Sequence, residues 1–307
     1  MARKFIISID LGGTNLKVAL LDLQYNIIDR EVLSTCSFLE KEDLISGIAY
    51  SINRIIKYNN LNKTQIFGLG LGLPGPVDAK RGIVHFFPNI PGWKEVKFRD
   101  ILKKRLNLKV CLDNDAKLMC LAEYKLGAAK GFLNTLCVTL GTGIGGGIII
   151  NGKIYRGLNN AAGEIGHLPI NEKGPLCNCG AYGCLEAYVG NKRILNQARK
   201  VFGRSISLEE LSLLSSNKNK TAINVWRKAG GHLGFALAGV VNLLNLDAIV
   251  IGGGVASAGK VLFDSLKERL KQQAMSVQSR HVKVFRAKLG SDAGLIGAAI
   301  LVKEGLD

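Results

Sequence analysis

A plan that occurs twice limits this chain more than any other feature. Residues 5–10, the turn Leu11-Gly12-Gly13-Thr14 and residues 16–22 read as strand, glycine turn, strand. Residues 135–140, the turn Gly141-Thr142-Gly143 and residues 144–150 read the same way. Each copy runs on into a polar turn and further strand-like sequence. A third element also recurs: Ile66-Phe67-Gly68-Leu69-Gly70-Leu71-Gly72-Leu73-Pro74-Gly75-Pro76 is a glycine-rich buried strand and turn, and Ala248-Ile249-Val250-Ile251-Gly252-Gly253-Gly254 is its counterpart. Two copies of one plan predict two similar α/β lobes facing each other.

The length of 307 residues, 47% of them hydrophobic, suffices for two such lobes. The lobe boundary is expected within 117–130, giving residues 1–117 with a returning C-terminal helix over 293–307, and residues 118–292. Leu44, Ile45, Ile48, Ile52, Ile55 and Ile56 make a helical stripe across 42–58. Further helices are expected from near Asp115 to Gly127, over 191–202 and 208–214, and over 222–246 as one helix or two. The longest apolar region, 233–258, invites a membrane span. Asn242, Asn245 and Gly252-Gly253-Gly254 favour a buried helix followed by a buried strand. No signal peptide opens the sequence, and seven cysteines, an odd number with a Cys-x-Cys cluster, argue for the cytoplasm over a disulfide framework. Cys36, Cys111, Cys120 and Cys137 read as reduced core residues. The net charge of +17 is densest at Lys94, Lys97, Arg99, Lys103, Lys104, Arg105 and Lys109. A nucleic-acid surface is one reading of that run and a solvated helix face is the favoured one; nothing in it resembles a recognition helix or an RNA-stacking strand.

Four motifs can carry chemistry. His167, Cys177, Cys179 and Cys184 place one imidazole and three thiols in eighteen residues, which suits a closed tetrahedral Zn²⁺ site. Glu164 and Glu186 bracket that cluster without being needed as ligands. The turn Asp10-Leu11-Gly12-Gly13-Thr14 follows a strand. Its backbone N–H groups can face a phosphate, and Asp10 can hold Mg²⁺ directly or through water. A hairpin without a ligand is the alternative; the loop is neither a Walker loop nor a dinucleotide fingerprint. The second turn at Gly141-Thr142-Gly143 has the same two readings, although its glycines would weaken a bare hairpin. Asp113-Asn114-Asp115-Ala116 opens a helix, where one residue can serve as N-cap. Asp115 there is a carboxylate kept ionised by the helix terminus and able to take a proton from a sugar hydroxyl.

Taken together, Asp10-x-Gly-Gly-Thr14, Pro74-Gly-Pro76, Pro88-Asn89-Ile-Pro-Gly92-Trp93, Asn114-Asp115-Ala116, Leu140-Gly-Thr-Gly-Ile-Gly, Glu164-x-Gly-His167, Cys177-x-Cys-Gly-x-x-Gly-Cys184 and Gly252-Gly-Gly254 resemble the ROK family of repressors and sugar kinases over almost the whole chain. The resemblance implies an α/β fold of two lobes, the duplicated ribonuclease H-like fold of actin, hexokinase and heat-shock ATPases, with an interlobe cleft. It implies that Asp115 is the general base. Gly75, Asn89, Asn114, Asp115, Glu164, His167 and Glu186 would meet the sugar. Asp10, Gly12, Gly13, Thr14, Thr142, Gly143 and Gly253 would serve ATP and its Mg²⁺. His167, Cys177, Cys179 and Cys184 would hold Zn²⁺, which aims the imidazole and fixes the backbone of Glu186. Asn15 stands where the family often has Lys, and Ser291-Asp292-Ala293-Gly294 replaces a commoner Asp-Asp-Ala-Gly.

The activity implied is an ATP-dependent hexose kinase acting on the 6-hydroxyl of a pyranose, with lobes that close on the sugar to exclude water. Glucose is the expected sugar, because Asn89-Ile90-Pro91-Gly92-Trp93 looks like the loop of ROK glucokinases; N-acetylmannosamine is the alternative. A sugar-sensing transcription regulator is the reading from another class, and only nine residues precede Asp10 where such proteins carry a DNA-binding segment. A homodimer is expected, without a specific nucleic-acid or membrane partner.

Overall fold

The computed structural model describes residues 3–87, 90 and 92–305. The chain divides into two compact units. The first holds the chain up to Lys125, the segment Lys153–Ala162 and the chain from Ser291 on. The second holds Leu126–Gly152 and Gly163–Gly290.

In the first unit β1 (Phe5–Leu11), β2 (Asn15–Asp22) and β3 (Ile27–Ser34) form an antiparallel meander, with α1 (Lys41–Tyr58) after it. Next come β4 (Ile66–Leu73), the two-residue strands β5 (Val77–Asp78) and β6 (Ile83–Val84), α2 (Phe98–Leu106), β7 (Val110–Asn114) and α3 (Asp115–Lys125). The sheet order is β3-β2-β1-β4-β7, with β4 parallel to β1 and β7 parallel to β4. The apolar stripe of α1 (Leu44, Ile45, Ile48, Ile52, Ile55, Ile56) is buried against this sheet's core. In α2, Phe98, Leu102 and Leu106 face inward and Lys103, Lys104 and Arg105 crowd the last turn, so the basic run is largely the outer side of an amphipathic helix.

The second unit repeats the plan. β8 (Thr135–Leu140) and β9 (Ile144–Ile150) are an antiparallel hairpin, and β10 (Lys153–Tyr155) follows in the segment assigned to the first unit. Then come α4 (Glu186–Val189), α5 (Asn191–Phe202), α6 (Leu208–Ser216), α7 (Lys220–Leu244), β11 (Ala248–Gly252), α8 (Lys260–Gln273), α9 (Ser276–His281) and β12 (Lys283–Arg286), after which the chain returns to the first unit as α10 (Ala293–Glu304). Strands β9, β8, β11 and β12 lie side by side in that order, with β11 parallel to β8 and β12 parallel to β11. β1, β2 and β4 therefore correspond to β8, β9 and β11, as the sequence repeat required. This is the duplicated ribonuclease H-like plan.

Glycine spacing explains the closest packing. In β4, Gly68 and Gly70 share one face. A Cβ at Gly70 would lie 2.2 Å from the Ala298 carbonyl oxygen, and one at Gly68 2.7 Å from a Val302 methyl, both on α10. The glycine stripe thus lets a helix backbone rest on the strand. Residues 220–244 form one helix; its Gly230 and Gly234, one turn apart, lie against α8 backbone oxygens that a Cβ would approach to 2.4 Å. The apolar stretch after Leu233 is the end of that helix followed by the buried β11, and among the described residues no helix is long and apolar enough to cross a membrane.

Candidate active site

Two constellations carry the residues singled out above, one in each unit. In the first unit, the β1–β2 turn is closed by the Gly12 N–H donating to the Asn15 carbonyl at 2.8 Å, and the Thr35 hydroxyl donates to the Gly12 carbonyl at 2.9 Å. Gly13 and Thr14 stand exposed at its tip. Asp10 faces Lys17 across the strand pair, with Lys17 Nζ 3.5 Å from the carboxylate and donating to the Ser291 carbonyl at 2.7 Å. A Cβ at Gly294 would come within 2.6 Å of the Asp10 carboxyl carbon, so the first turn of α10 closes over this side chain and a larger residue there would have to displace the carboxylate. Burial raises the Asp10 pKa above the usual carboxylate value, the Lys17 charge pulls it back, and Asp292 adds to the rise. A nearby divalent cation would relieve that strain on the charged form.

Asp115 is the first residue of α3, directly after β7. Asn114 caps the helix: its Oδ1 accepts from the N–H groups of Ala116 at 3.1 Å and Lys117 at 3.2 Å. Its Nδ2 donates to the carbonyls of Gly75 at 3.2 Å and Leu73 at 3.5 Å. The structure thus brings Gly75, Asn114 and Asp115 together, with the Asn114 amide engaged at both ends. Gly75 needs its φ of +78° to make the turn between Pro74 and Pro76. Asp115 Oδ1 accepts from the Ala116 N–H at 2.8 Å. Asn89 lies outside the described residues. Its neighbour Trp93 is buried, with ring centroids 4.3 Å from Phe87 and 4.8 Å from Phe98.

Polar groups to which the sequence assigned no sugar, nucleotide or metal role surround this helix start. Asp113 is 1% exposed and accepts from Arg156 Nε at 2.9 Å. Lys117 is 3% exposed and donates to the Asn160 carbonyl at 2.6 Å. Both ties span 43 residues, which no local pattern reveals.

In the second unit, the Gly141 N–H donates to the Gly143 carbonyl at 2.9 Å to close the β8–β9 turn. Glu186, the first residue of α4, accepts from the Ile144 N–H at 2.8 Å, and its oxygen occupies the place a Gly143 Cβ would take. Gly253, at φ +85°, passes so close to Leu140 that a Cβ would lie 2.3 Å from the carbonyl oxygen. Thr142, Gly143 and Gly253 therefore gather at one end of β8. The turn bearing Glu164 and His167 lies on β9: a Cβ at Gly166 would meet the Ile144 carbonyl at 2.4 Å, and one at Gly146 the Gly163 carbonyl at the same distance. The glycines of β9 make room for that turn. Glu164, His167 and Glu186 are thereby arranged around the first residues of one strand.

The possible ligand atoms of His167, Cys177, Cys179 and Cys184 all lie within 4.8 Å of one another. Cys177 Sγ is 3.8 Å from His167 Nδ1, and Cys179 Sγ is 3.6 Å from Cys184 Sγ. Thiolates about 2.3 Å from a tetrahedral Zn²⁺ stand roughly 3.8 Å apart, whereas a disulfide requires about 2.05 Å. The donor set fits zinc. Burial, with the neighbouring thiols, pushes the Cys184 pKa up to about 12, while the backbone at Ala181 and adjacent groups lower that of Cys179. The loop closes through the Cys177 N–H to the Ala181 carbonyl at 2.8 Å, and Cys177, Cys184 and Ala187 form a small apolar cluster with Tyr188 against it. With Nδ1 turned to the thiols, Nε2 of His167 is left for another partner.

The sequence profile of the ROK family matches residues 6–305, and the chain belongs to that family. It is 34% identical to a glucokinase of Halalkalibacterium halodurans, over 99% of this chain and 96% of that protein. A ROK family glucokinase from Streptomyces griseus, solved in complex with glucose and AMPPNP, is similar with a TM-score of 0.84 at 29% identity, covering 98% of this chain and 100% of that one. A ROK family transcriptional regulator, homolog of the E. coli MLC protein, is similar with a TM-score of 0.90 at 26% identity, covering 98% of this chain and 78% of that one.

Proposed function

We propose that this ROK-family sugar kinase transfers the γ-phosphoryl group of ATP to the 6-hydroxyl of glucose, with Asp115 as general base. The observation that carries the reading is the fixed start of α3, where β7, the Asn114 cap and the Gly75 turn present a carboxylate at a helix N-terminus, in a chain matched end to end by glucokinases. In the reaction the sugar O6 bonds to the γ-phosphorus as the bond from phosphorus to the bridging oxygen breaks. That electron pair leaves with ADP. Asp115 accepts the hydroxyl proton late and then returns it to water. Little covalent help is needed; alignment and charge neutralisation lower the barrier.

Asn89, Gly75, Glu164, His167 and Glu186 hold the hydroxyls, with Asn114 setting the base and the turn beside it. The turns at Gly12-Gly13-Thr14 and Gly141-Thr142-Gly143, with Gly253, serve the nucleotide. Mg²⁺ bound with the nucleotide near Asp10 supplies positive charge to the phosphates. Zn²⁺ held by His167, Cys177, Cys179 and Cys184 supplies rigidity to the loop that carries His167 and Glu186. Polar groups discriminate among sugars only when so held. We expect a homodimer in the cytoplasm.

The test is a coupled ADP-release assay over glucose, N-acetylmannosamine, N-acetylglucosamine, mannose, fructose and allose. Glucose should give the highest kcat/KM. A preference for N-acetylmannosamine would replace the substrate and keep the mechanism. The likeness to the regulator favours a second reading, sugar sensing without turnover. ADP release that does not rise with any sugar, together with sequence-specific DNA binding that persists at physiological salt, would select it.

A further inference from the structure

We propose that Arg156 and Lys117 are positioning residues for Asp115: through them the loop 156–162 clamps the start of α3 on both sides of the base. The proposal rests on the reading of Asp115 as the base. Asp113 and Lys117 stand two residues before and two residues after it, and both are buried charges. A buried charge must find a partner, and both find theirs on one loop. Arg156 Nε donates to Asp113 Oδ2 at 2.9 Å, while Asp113 Oδ1 accepts from the Asn114 N–H at 2.8 Å. Lys117 Nζ donates to the Asn160 carbonyl at 2.6 Å.

The loop is itself closed and anchored. The Ala162 N–H donates to the Arg156 carbonyl at 3.0 Å. Gly157 takes φ +71° and Asn160 φ +62°, conformations that fold the segment back on itself. Asn160 Nδ2 donates to Asp78 Oδ1 at 3.1 Å, and that oxygen also accepts from the Arg81 N–H at 2.9 Å. The segment belongs to the first unit, although Gly152 before it and Gly163 after it belong to the second. The chain thus makes an excursion whose polar contacts converge on the two positions flanking Asp115.

Stability alone does not call for this arrangement. Well-packed apolar residues generally hold a loop as tightly as buried ions, without their desolvation cost. What an Nε–Oδ2 contact adds is direction. It fixes the Asp113 carboxylate, which holds the Asn114 N–H, whose side chain caps the helix on which Asp115 is the first residue. A general base acts only at hydrogen-bond reach of the proton it removes, and a misplacement of about 1 Å costs on the order of 100-fold in rate.

The experiment compares kcat, KM and calorimetric Kd for glucose, and melting temperature, in Arg156→Gln, Arg156→Lys, Asp113→Asn, the double variant Asp113→Asn/Arg156→Gln and Lys117→Met. The expected result is a kcat lowered by roughly 10- to 100-fold with a glucose Kd within about twofold of wild type, since the lost interaction sets orientation in the transition state and not sugar affinity. Arg156→Lys should recover part of the rate, and the double variant should be no slower than the worse single one, because the two groups act as one unit. If Arg156→Gln does not fold, Asp113→Asn, which keeps the side chain's shape, and Lys117→Met decide the matter. Folded variants that keep more than half of the wild-type kcat in an active background overturn this proposal alone. Kcat and affinity falling in step would also overturn it, since that is the mark of general loosening. A wild type without sugar-dependent ADP release removes the base, and this proposal with it.

Discussion

Asp115 owes its position to neighbours that differ in chain distance. Asn114 caps its helix from the adjacent position, while Arg156 steadies the preceding aspartate from far along the chain. Asp115→Asn keeps the size and the cap but removes the basic oxygen. Turnover should fall by about 10² to 10⁴-fold, with glucose affinity by calorimetry nearly unchanged. More than a few per cent of residual rate would exclude Asp115 as the base. The proposed zinc ligands make a separate prediction. Cys179→Ser should lose the metal, lower the melting temperature and raise the glucose KM, and the wild type should carry one zinc per chain by elemental analysis. Unchanged glucose kinetics in a zinc-free preparation would separate the metal from the sugar site. His232 adds a pH effect. Its ring packs on that of Tyr188 with centroids 4.6 Å apart and planes tilted by 39°, and burial, then the charges of Arg269 and Lys228, lower its pKa below 6.5. The unfolded chain therefore takes up this proton first, so the stability is complete above 6.5 and is lost as pH falls through the depressed folded value. His232→Phe keeps a ring against Tyr188 and cannot charge. Its melting temperature should fall less than that of wild type between about pH 6.5 and pH 5.

Among secondary-structure elements, the glycine stripes decide which pairs approach closely. β4 accepts the backbone of α10 because Gly68 and Gly70 present no side chains, and Gly297 on α10 lies against the Leu118 carbonyl of α3, which a Cβ would approach to 2.0 Å. Gly70→Ala should destabilise the chain by about 1–3 kcal/mol, read as a drop in urea midpoint; an unchanged midpoint would show that α10 can move aside at little cost. The strands and amphipathic helices were legible because burial imposes local periods, as in the Leu44 to Ile56 stripe of α1. The glycines of β4 were visible as a motif, but which element they admit was not. Nothing near residue 70 names a helix beginning at Ala293. The same holds for Gly294, whose missing side chain leaves the Asp10 carboxylate its place beneath α10.

At the largest scale the two compact units are interleaved along the chain. The first is assembled from three chain segments, and its core joins Ile6, Ala19, Leu21, Cys111 and Leu118 to Leu295, Ala298, Leu301 and Val302 of α10. A fragment ending at Lys125 would expose that apolar face and should lack a cooperative unfolding transition. Supplying residues 291–305 through a linker should restore one, as circular dichroism during a thermal scan can show. Cooperative melting of the short fragment would mean that the N-terminal segments suffice by themselves.

The repeat of strand, glycine turn and strand, the His167, Cys177, Cys179 and Cys184 cluster and the Asn114 cap could all be read from the linear order of residues, because each is a constraint satisfied within a short stretch of chain. Hydrogen bonds across a turn, thiols gathered by one loop and a helix cap act over distances that a short stretch of backbone spans. Folding alone determined that Arg156 reaches Asp113, that Lys117 finds the Asn160 carbonyl, that Glu186 rests on the second glycine turn and that Gly294 covers Asp10. Those contacts join residues whose separation along the chain is large, and their partners follow from how sheets and helices pack. Neighbouring residues carry no trace of that packing.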